Sequence, residues 1–272
     1  NIITNSKASN KCGYFNFETN ECENENYITI IYDDDAEYDS GFINEFRKNI
    51  EFITNTNPLN KLSTTDKLIL KRGSRLDLYF SSPVSSLEKF FDAEVDPNMK
   101  SAISIDLSHF DMSLVTNMNY LFSNCNSVKT IHLPEDYIKL KGEMVQTFYE
   151  CNSLESIDLS RFNMEKVKDS NNMFEGVNNL LYLNIYDVQH TYLNITDSIL
   201  NKLDNLTVCQ KEDLVTNTNT INKCCYIDTE KNECDSDNFI IIYYKEDCTY
   251  ESGFNENNKR NGIKFIINGN KK

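Results

Sequence analysis

The 272-residue chain carries 42 acidic against 27 basic residues, a net charge of −15. That balance excludes nucleic acid and anionic membrane surfaces as partners, because both demand a basic footprint. The longest apolar run, Phe239–Tyr244, falls far short of the ~20 residues of a membrane-spanning helix, so no direct membrane insertion is expected.

The chain opens with a segment that it repeats near its end. Residues 10–42 align without a gap on residues 222–254, with 17 of 33 positions identical. Self-similarity at so long a period marks a modular tandem array. The pattern divides the chain into a cysteine-stapled β unit over 1–58, a central repeat region over 59–208 and a second β unit over 209–272. The first unit reads as the tail of a preceding module.

Cysteine usage differs between these parts. Cys12 and Cys22 recur as Cys224 and Cys234, whereas Cys225 and Cys248 are replaced together by Gly13 and Ala36 in the first copy. Joint loss is the behaviour of a bonded pair, so the expected disulfides are Cys12–Cys22, Cys224–Cys234 and Cys225–Cys248. Sequence does not fix connectivity, and Cys209 can pair with Cys224 or Cys234 instead. The rival reading is a zinc site, which calls for paired C-x2-4-C knuckles, and the chain has none. Disulfides imply an oxidising, extracellular setting, with no metal and no cofactor expected.

In the first β unit, Asp33, Asp34, Asp35, Glu37 and Asp39 form an acidic run. A calcium loop spaces its ligands around a glycine, which this run does not do, so it reads as a solvated turn. Tyr27–Tyr32 and Phe239–Tyr244 read as strands.

The middle repeats at a shorter period. Ile105, Ile131, Ile157 and Leu183 recur every 26 residues, as do Phe122, Phe148, Phe174 and Leu200. Four ungapped turns with matched apolar positions argue for stacked repeats. The I-D-L piece alternates as a short strand does, and Val115–Phe122 carries apolar residues at spacings of three and four, as a short helix does. The expected class is therefore α/β: a repeat solenoid of 26-residue turns flanked by small disulfide-stapled β-rich units. Cys125 and Cys151 fall on an apolar position of the repeat and read as buried free thiols.

IDLSHFDMSLVTNMNYLFSNCNSVKT and IDLSRFNMEKVKDSNNMFEGVNNLLY resemble the repeats of BspA-like leucine-rich surface proteins. The resemblance covers about residues 102–207, with a degenerate leading turn in Leu76–Lys100. The second turn departs from the pattern and the fourth keeps only its apolar skeleton. The resemblance implies a leucine-rich repeat fold, a secreted or cell-surface location and adhesive or protein-binding roles, with no catalytic residues and no named ligand.

Such a fold exposes one row of strand residues per turn on its concave sheet, here Asp106, His132, Asp158 and Asn184. Tyr182 and Tyr186 flank that row and are the expected binding hot spots, because exposed Tyr supplies contact area at low entropy cost. Asn194 and Asn205 begin glycosylation sequons. His109, His132 and His190 form no HExxH pair, and the chain carries no P-loop, nucleophile elbow or dinucleotide fingerprint. The expected function is a non-catalytic extracellular protein-binding module of a tandem-repeat scaffold or adhesin. It would dock a partner's docking domain or a surface receptor, as scaffoldins and adhesins do. The alternative is a structural subunit whose neighbouring modules join end to end, through strand edges at Tyr27–Tyr32 and Phe239–Tyr244, into a fibre, coat or surface layer.

Overall fold

The computed structural model describes residues 14–16, 21–24, 26–39, 41–55, 61–134, 138, 142–162, 164, 167–185, 203, 206–209, 221–222, 226–228 and 233–235. The chain divides into two compact units, Asn1–Cys224 and Cys225–Lys272. In chain order the strands are β1 (Tyr14–Asn16), β2 (Glu21–Asn24), β3 (Tyr27–Tyr32), β4 (Ala36–Tyr38), β5 (Ile50–Asn55), β6 (Lys61–Leu62), β7 (Leu68–Leu70) and β8 (Arg75–Phe80). They continue with β9 (Ala102–Asp106), β10 (Thr130–His132), β11 (Ser156–Asp158), β12 (Tyr182–Asn184), β13 (Thr207–Cys209), β14 (Ile221–Asn222), β15 (Tyr226–Asp228) and β16 (Glu233–Asp235).

Ten strands form one mixed sheet in the order β14-β13-β12-β11-β10-β9-β3-β8-β5-β6. From β9 to β14 neighbours run parallel, and Ile105 pairs with Ile131 while Ile157 pairs with Leu183. The 26-residue recurrence thus sets the register of β9 to β12. At β3 the sheet changes character, because β3 lies antiparallel to both β9 and β8. Its alternation explains the place it takes: Ile28, Ile30 and Tyr32 are fully buried, pointing into the main core as a period-2 pattern requires. Tyr27–Tyr32 is accordingly an inner strand and not a sheet edge.

The expected α/β leucine-rich solenoid is overturned. Among the described residues there is no α-helix, only a 3-10 turn at Pro97–Ser101 capped by the Asp96 side chain, and the fold is nearly all β. Val115–Phe122, which has the apolar spacing of a helix, is extended around an isolated bridge at Asn117 and turns only from Asn119. The reason lies in where its N–H groups go. Met118, Tyr120, Phe122 and Asn124 donate to the carbonyls of Glu143, Val145, Thr147 and Tyr149, each 25 residues further on. A helix needs those donors for carbonyls four residues back.

Left-handed backbone at matching positions makes this pattern possible. Tyr120, Gln146 and Asn172 have φ of 57°, 52° and 54°, and Asn124, Glu150 and Gly176 have φ of 59°, 55° and 81°. Each non-glycine residue there costs about 1–2 kcal/mol, which the N–H to carbonyl bonds between coils offset. Inside the coils Phe91, Phe122, Phe148 and Phe174 stack with centroids 5.7, 5.5 and 5.4 Å apart.

The expected leading turn in Leu76–Lys100 forms only in part. Ser86 bridges to Asn117, and Leu87, Lys89, Phe91 and Ala93 donate into the next coil. Its strand, however, runs antiparallel beside β3 as β8 and does not stack on β9.

The tandem repeat is visible in two hairpins. Phe15 pairs with Cys22 and Asn16 with Glu21 in β1–β2, while Ile227 pairs with Cys234 and Asp228 with Glu233 in β15–β16. Of the expected disulfide cysteines, Cys12, Cys224, Cys225 and Cys248 lie outside the described residues, and of Cys22 and Cys234 only the strand backbone is described. No disulfide occurs among the described side chains, where Cys125 and Cys151 are free and buried.

Candidate functional site

The sheet turns one face to the core, and its other face carries a polar row. Strand register places Asn184, Asp158, His132, Asp106, Thr29, Asp77, Thr54 and Lys61 side by side across β12, β11, β10, β9, β3, β8, β5 and β6. With strands ~4.8 Å apart, the row crosses the strands at regular spacing. Beside it runs a second line, Ser156, Thr130 and Ser104, in which the Thr130 hydroxyl lies 3.0 Å from that of Ser104.

The parallel half of the row holds four of the residues expected from sequence. His132 and Asp158 are exposed and Asp106 is half-buried. Both aspartates are anchored locally: Asp106 accepts the Ser108 N–H at 2.8 Å, and Asp158 accepts the Ser160 N–H at 2.8 Å and its hydroxyl at 2.6 Å. Asn184 donates to Asp158 at 3.0 Å. Two exposures differ from expectation, since Tyr182 and Asn184 are each only 8% accessible. Both lie on β12, which is flanked by β11 on one side and β13 on the other, and alternation along one strand does not reveal such burial. Tyr186, Asn194 and Asn205 lie outside the described residues.

The antiparallel half holds residues that sequence reasoning passes over. Asp77, 3% exposed, accepts Thr29 Oγ1 at 2.6 Å and Arg75 Nε at 2.8 Å. Beyond it Tyr27, Tyr79 and Phe52 form a small aromatic cluster, with Phe52 and Tyr79 stacked at 4.5 Å and the His109 ring stacked on Tyr27 at 4.7 Å. Burial pushes the Tyr79 hydroxyl up to about 12, with the Asp77 charge adding to the shift. Burial likewise raises Tyr27, opposed by Arg75. The signal for this half is the alternation Tyr-x-Thr in β3 and Arg-x-Asp-x-Tyr in β8.

The acidic run Asp33–Asp39 is paired with cations. Asp39 and Glu37 bind Lys67, Asp35 binds Lys71 at 2.8 Å, and Asp33 binds Arg72 at 3.2 Å. The Lys71 side chain holds the Asp35 carboxyl below its usual range, and Lys67 does the same for Asp39. Among the described residues no group of three or more His, Cys, Asp or Glu is gathered to hold a metal, and no helix is long and apolar enough to cross a membrane.

Chemically, the accessible part of the row is its parallel half, with two anchored carboxylates, Asp106 and Asp158, and the exposed His132 imidazole; Thr29, Asp77, Thr54 and Asn184 are buried. No curated protein and no solved structure matches the chain. Over residues 85–207, which span the coils from the Ser86 bridge to β13, it is similar to the family described as "Mycoplasma protein of unknown function, DUF285".

Proposed function

We propose that the chain is a non-catalytic, extracellular protein-binding module of a tandem-repeat scaffold or adhesin, docking a folded partner on the polar face of its sheet. The observation that carries this reading is the parallel half of the polar row, exposed at His132 and Asp158 and half-buried at Asp106. A rigid surface with preset polar groups binds without first ordering itself, which removes a large part of the entropic cost of association. Repetition of the module multiplies weak affinity into avidity. The resemblance to BspA-like surface proteins points the same way, as do cysteines that recur in register between the two copies.

The test is retention of partner proteins from the native culture medium on the immobilised full chain, compared with a His132→Ala/Asp158→Ala variant. Both side chains are exposed, but Asp158 accepts from Ser160 and Asn184, so the melting curve of the variant is measured beside the parent's and retention is compared where both are folded. Specific retention that the double substitution abolishes supports the reading. Retention unaffected by it, or no retention by the parent, overturns it. Tyr182 is a poor probe, because removing a buried Tyr also unsettles packing.

A further inference from the structure

The hydrogen bonds that join the turns of successive coils have a direction. Leu87, Lys89, Phe91 and Ala93 donate to the carbonyls of Asn117, Asn119, Leu121 and Ser123 at 2.9–3.0 Å. The same step carries Met118 to Glu143 and Met144 to Asp169. Each of these N–H groups points to the coil that follows, and each accepting carbonyl to the coil before. Peptide dipoles aligned in this way add, which leaves the carbonyl end of the ladder partly negative. At that end stands the first coil, residues 86–93, and there the sheet continues with antiparallel β3 and not with another coil.

Two carbonyls of this coil take donors from outside the ladder. The Phe90 carbonyl is the equivalent of those of Leu121, Thr147 and Met173, which accept the N–H groups of Phe91, Phe122 and Phe148 at 2.9, 2.9 and 3.0 Å. It accepts Arg47 Nε at 2.9 Å, so the guanidinium stands where the N–H of a preceding coil would. The Asp92 carbonyl, equivalent to that of Ser123, accepts the N–H groups of Val95 and Asp96 at 3.0 and 2.9 Å. Arg47 is 1% exposed and Phe90 2%. Water has no access there, and a buried carbonyl left without a donor is costly. Arg47 Nη1 reaches the Phe42 carbonyl at 3.4 Å and Asp96 at 2.7 Å. A planar guanidinium serves these three acceptors at once, which the point charge of a lysine does not.

We infer that Arg47 is the cap of the coil stack, closing the carbonyl edge of the first coil, and that the stack opens from this edge when the cap is removed. This inference is independent of the docking role of the polar face. Stacked repeats contact only their neighbours, so a defect at one end is felt first in the terminal coil. A cation at the partly negative end of aligned dipoles is the favourable pairing seen at helix C-termini. The cap also covers acceptors that would otherwise be offered to other chains.

Native-state hydrogen exchange on the full chain, read on peptides spanning residues 84–96 and 142–152, tests this. In the parent the two peptides should be protected alike. In an Arg47→Met/Asp96→Leu variant, which leaves no buried charge unpaired, residues 84–96 should exchange about tenfold faster or more, the worth of a hydrogen bond from a charged donor. Residues 142–152 should change only as far as global stability does. Arg47→Lys should show the same order to a smaller degree, which keeps the test open if the double variant does not fold. Phe148→Ala, a defect inside the stack, should not open residues 84–96 first. A parent in which residues 84–96 already exchange tenfold faster overturns the inference. Equal acceleration of both peptides in the Arg47 variants, or opening of residues 84–96 first in Phe148→Ala, also overturns it.

Discussion

Gly142 rests its bare α-carbon on the carbonyl oxygen of Thr116, its equivalent one coil earlier, with no room between them for a Cβ. The contact is held in place from both sides. Glu143 N–H donates to the Thr116 carbonyl at 3.1 Å, and the Gly142 carbonyl accepts the Lys168 N–H at 2.9 Å. Gly142→Ala must push two coils apart along their hydrogen-bonded seam. Overpacking of this kind costs about 1–3 kcal/mol. For a unit of this size that is a fall in Tm of roughly 2–4 °C per kcal/mol, which calorimetry of the two proteins will show. An unchanged Tm would mean that the coils are not in contact at this point.

The core holds a buried ion pair, Arg47–Asp96, whose disruption should be severe. Arg47 is 1% exposed, bonded to Asp96 at 2.7 Å and to the Phe90 carbonyl at 2.9 Å, with its guanidinium 4.0 Å from the Phe42 ring centroid. Asp96 also accepts the Tyr38 hydroxyl at 3.0 Å and caps the Pro97–Ser101 turn. Asp96→Ala leaves a buried cation without its counter-charge, a defect worth about 3–5 kcal/mol. Replacing both partners by apolar residues, Arg47→Met with Asp96→Leu, should cost less than the single change. Urea denaturation of the three proteins measures the ordering, and a double variant weaker than Asp96→Ala would refute it.

The stacked phenylalanines carry the coils. Phe148 is fully buried between Phe122 and Phe174. Phe148→Ala removes both stacking contacts and opens a cavity, at a cost of about 3–5 kcal/mol. Phe148→Leu keeps most of the volume and should cost less than half as much. Denaturant midpoints at equal slope separate the two, and equal losses would show that stacking geometry outweighs volume.

These contacts also mark where sequence reasoning succeeds and where it stops. The recurrence of Ile105, Ile131 and Ile157 is legible because every coil buries the same position against the same neighbour. The turns around Tyr120 and Asn124 are not, since alternating right- and left-handed backbone produces the same apolar spacing of three and four as a helix. What separates them is whether Met118 N–H finds a carbonyl four residues back or Glu143 in the next coil, and a local pattern does not contain that information. The polar row is legible in its parallel half, where a constant offset links Asp106, His132 and Asp158. Its continuation through Thr29, Asp77 and Thr54 depends on antiparallel register across β3, which no fixed offset encodes. Tyr182 is misread because alternation assigns a face of the sheet but says nothing of what packs against that face.

The two free thiols give the fold a pH dependence of defined sign. Cys125 and Cys151 are fully buried and donate to the carbonyls of Phe91 and Phe122 at 3.0 and 3.1 Å. Burial pushes both thiols well up, and for Cys125 the neighbouring Cys151 adds to the shift. An unfolded thiol ionises near 8.5. Below that pH both states hold the proton and stability is unaffected. Above it the unfolded chain releases protons that the folded chain keeps, so stability falls as pH rises toward the folded pKa, by up to ~1.4 kcal/mol per pH unit for each thiol. Denaturant midpoints should therefore drop between pH 8 and pH 10, and a Cys125→Ala/Cys151→Ala variant should drop less steeply. Peptide mapping after treatment with an alkylating reagent supplies the second reading. At pH 7.5 both cysteines should be labelled only as fast as the unit unfolds, because the nucleophile is the thiolate and the fold suppresses it. Labelling at the rate of an exposed thiol would mean that the coils open locally around Phe122 without unfolding.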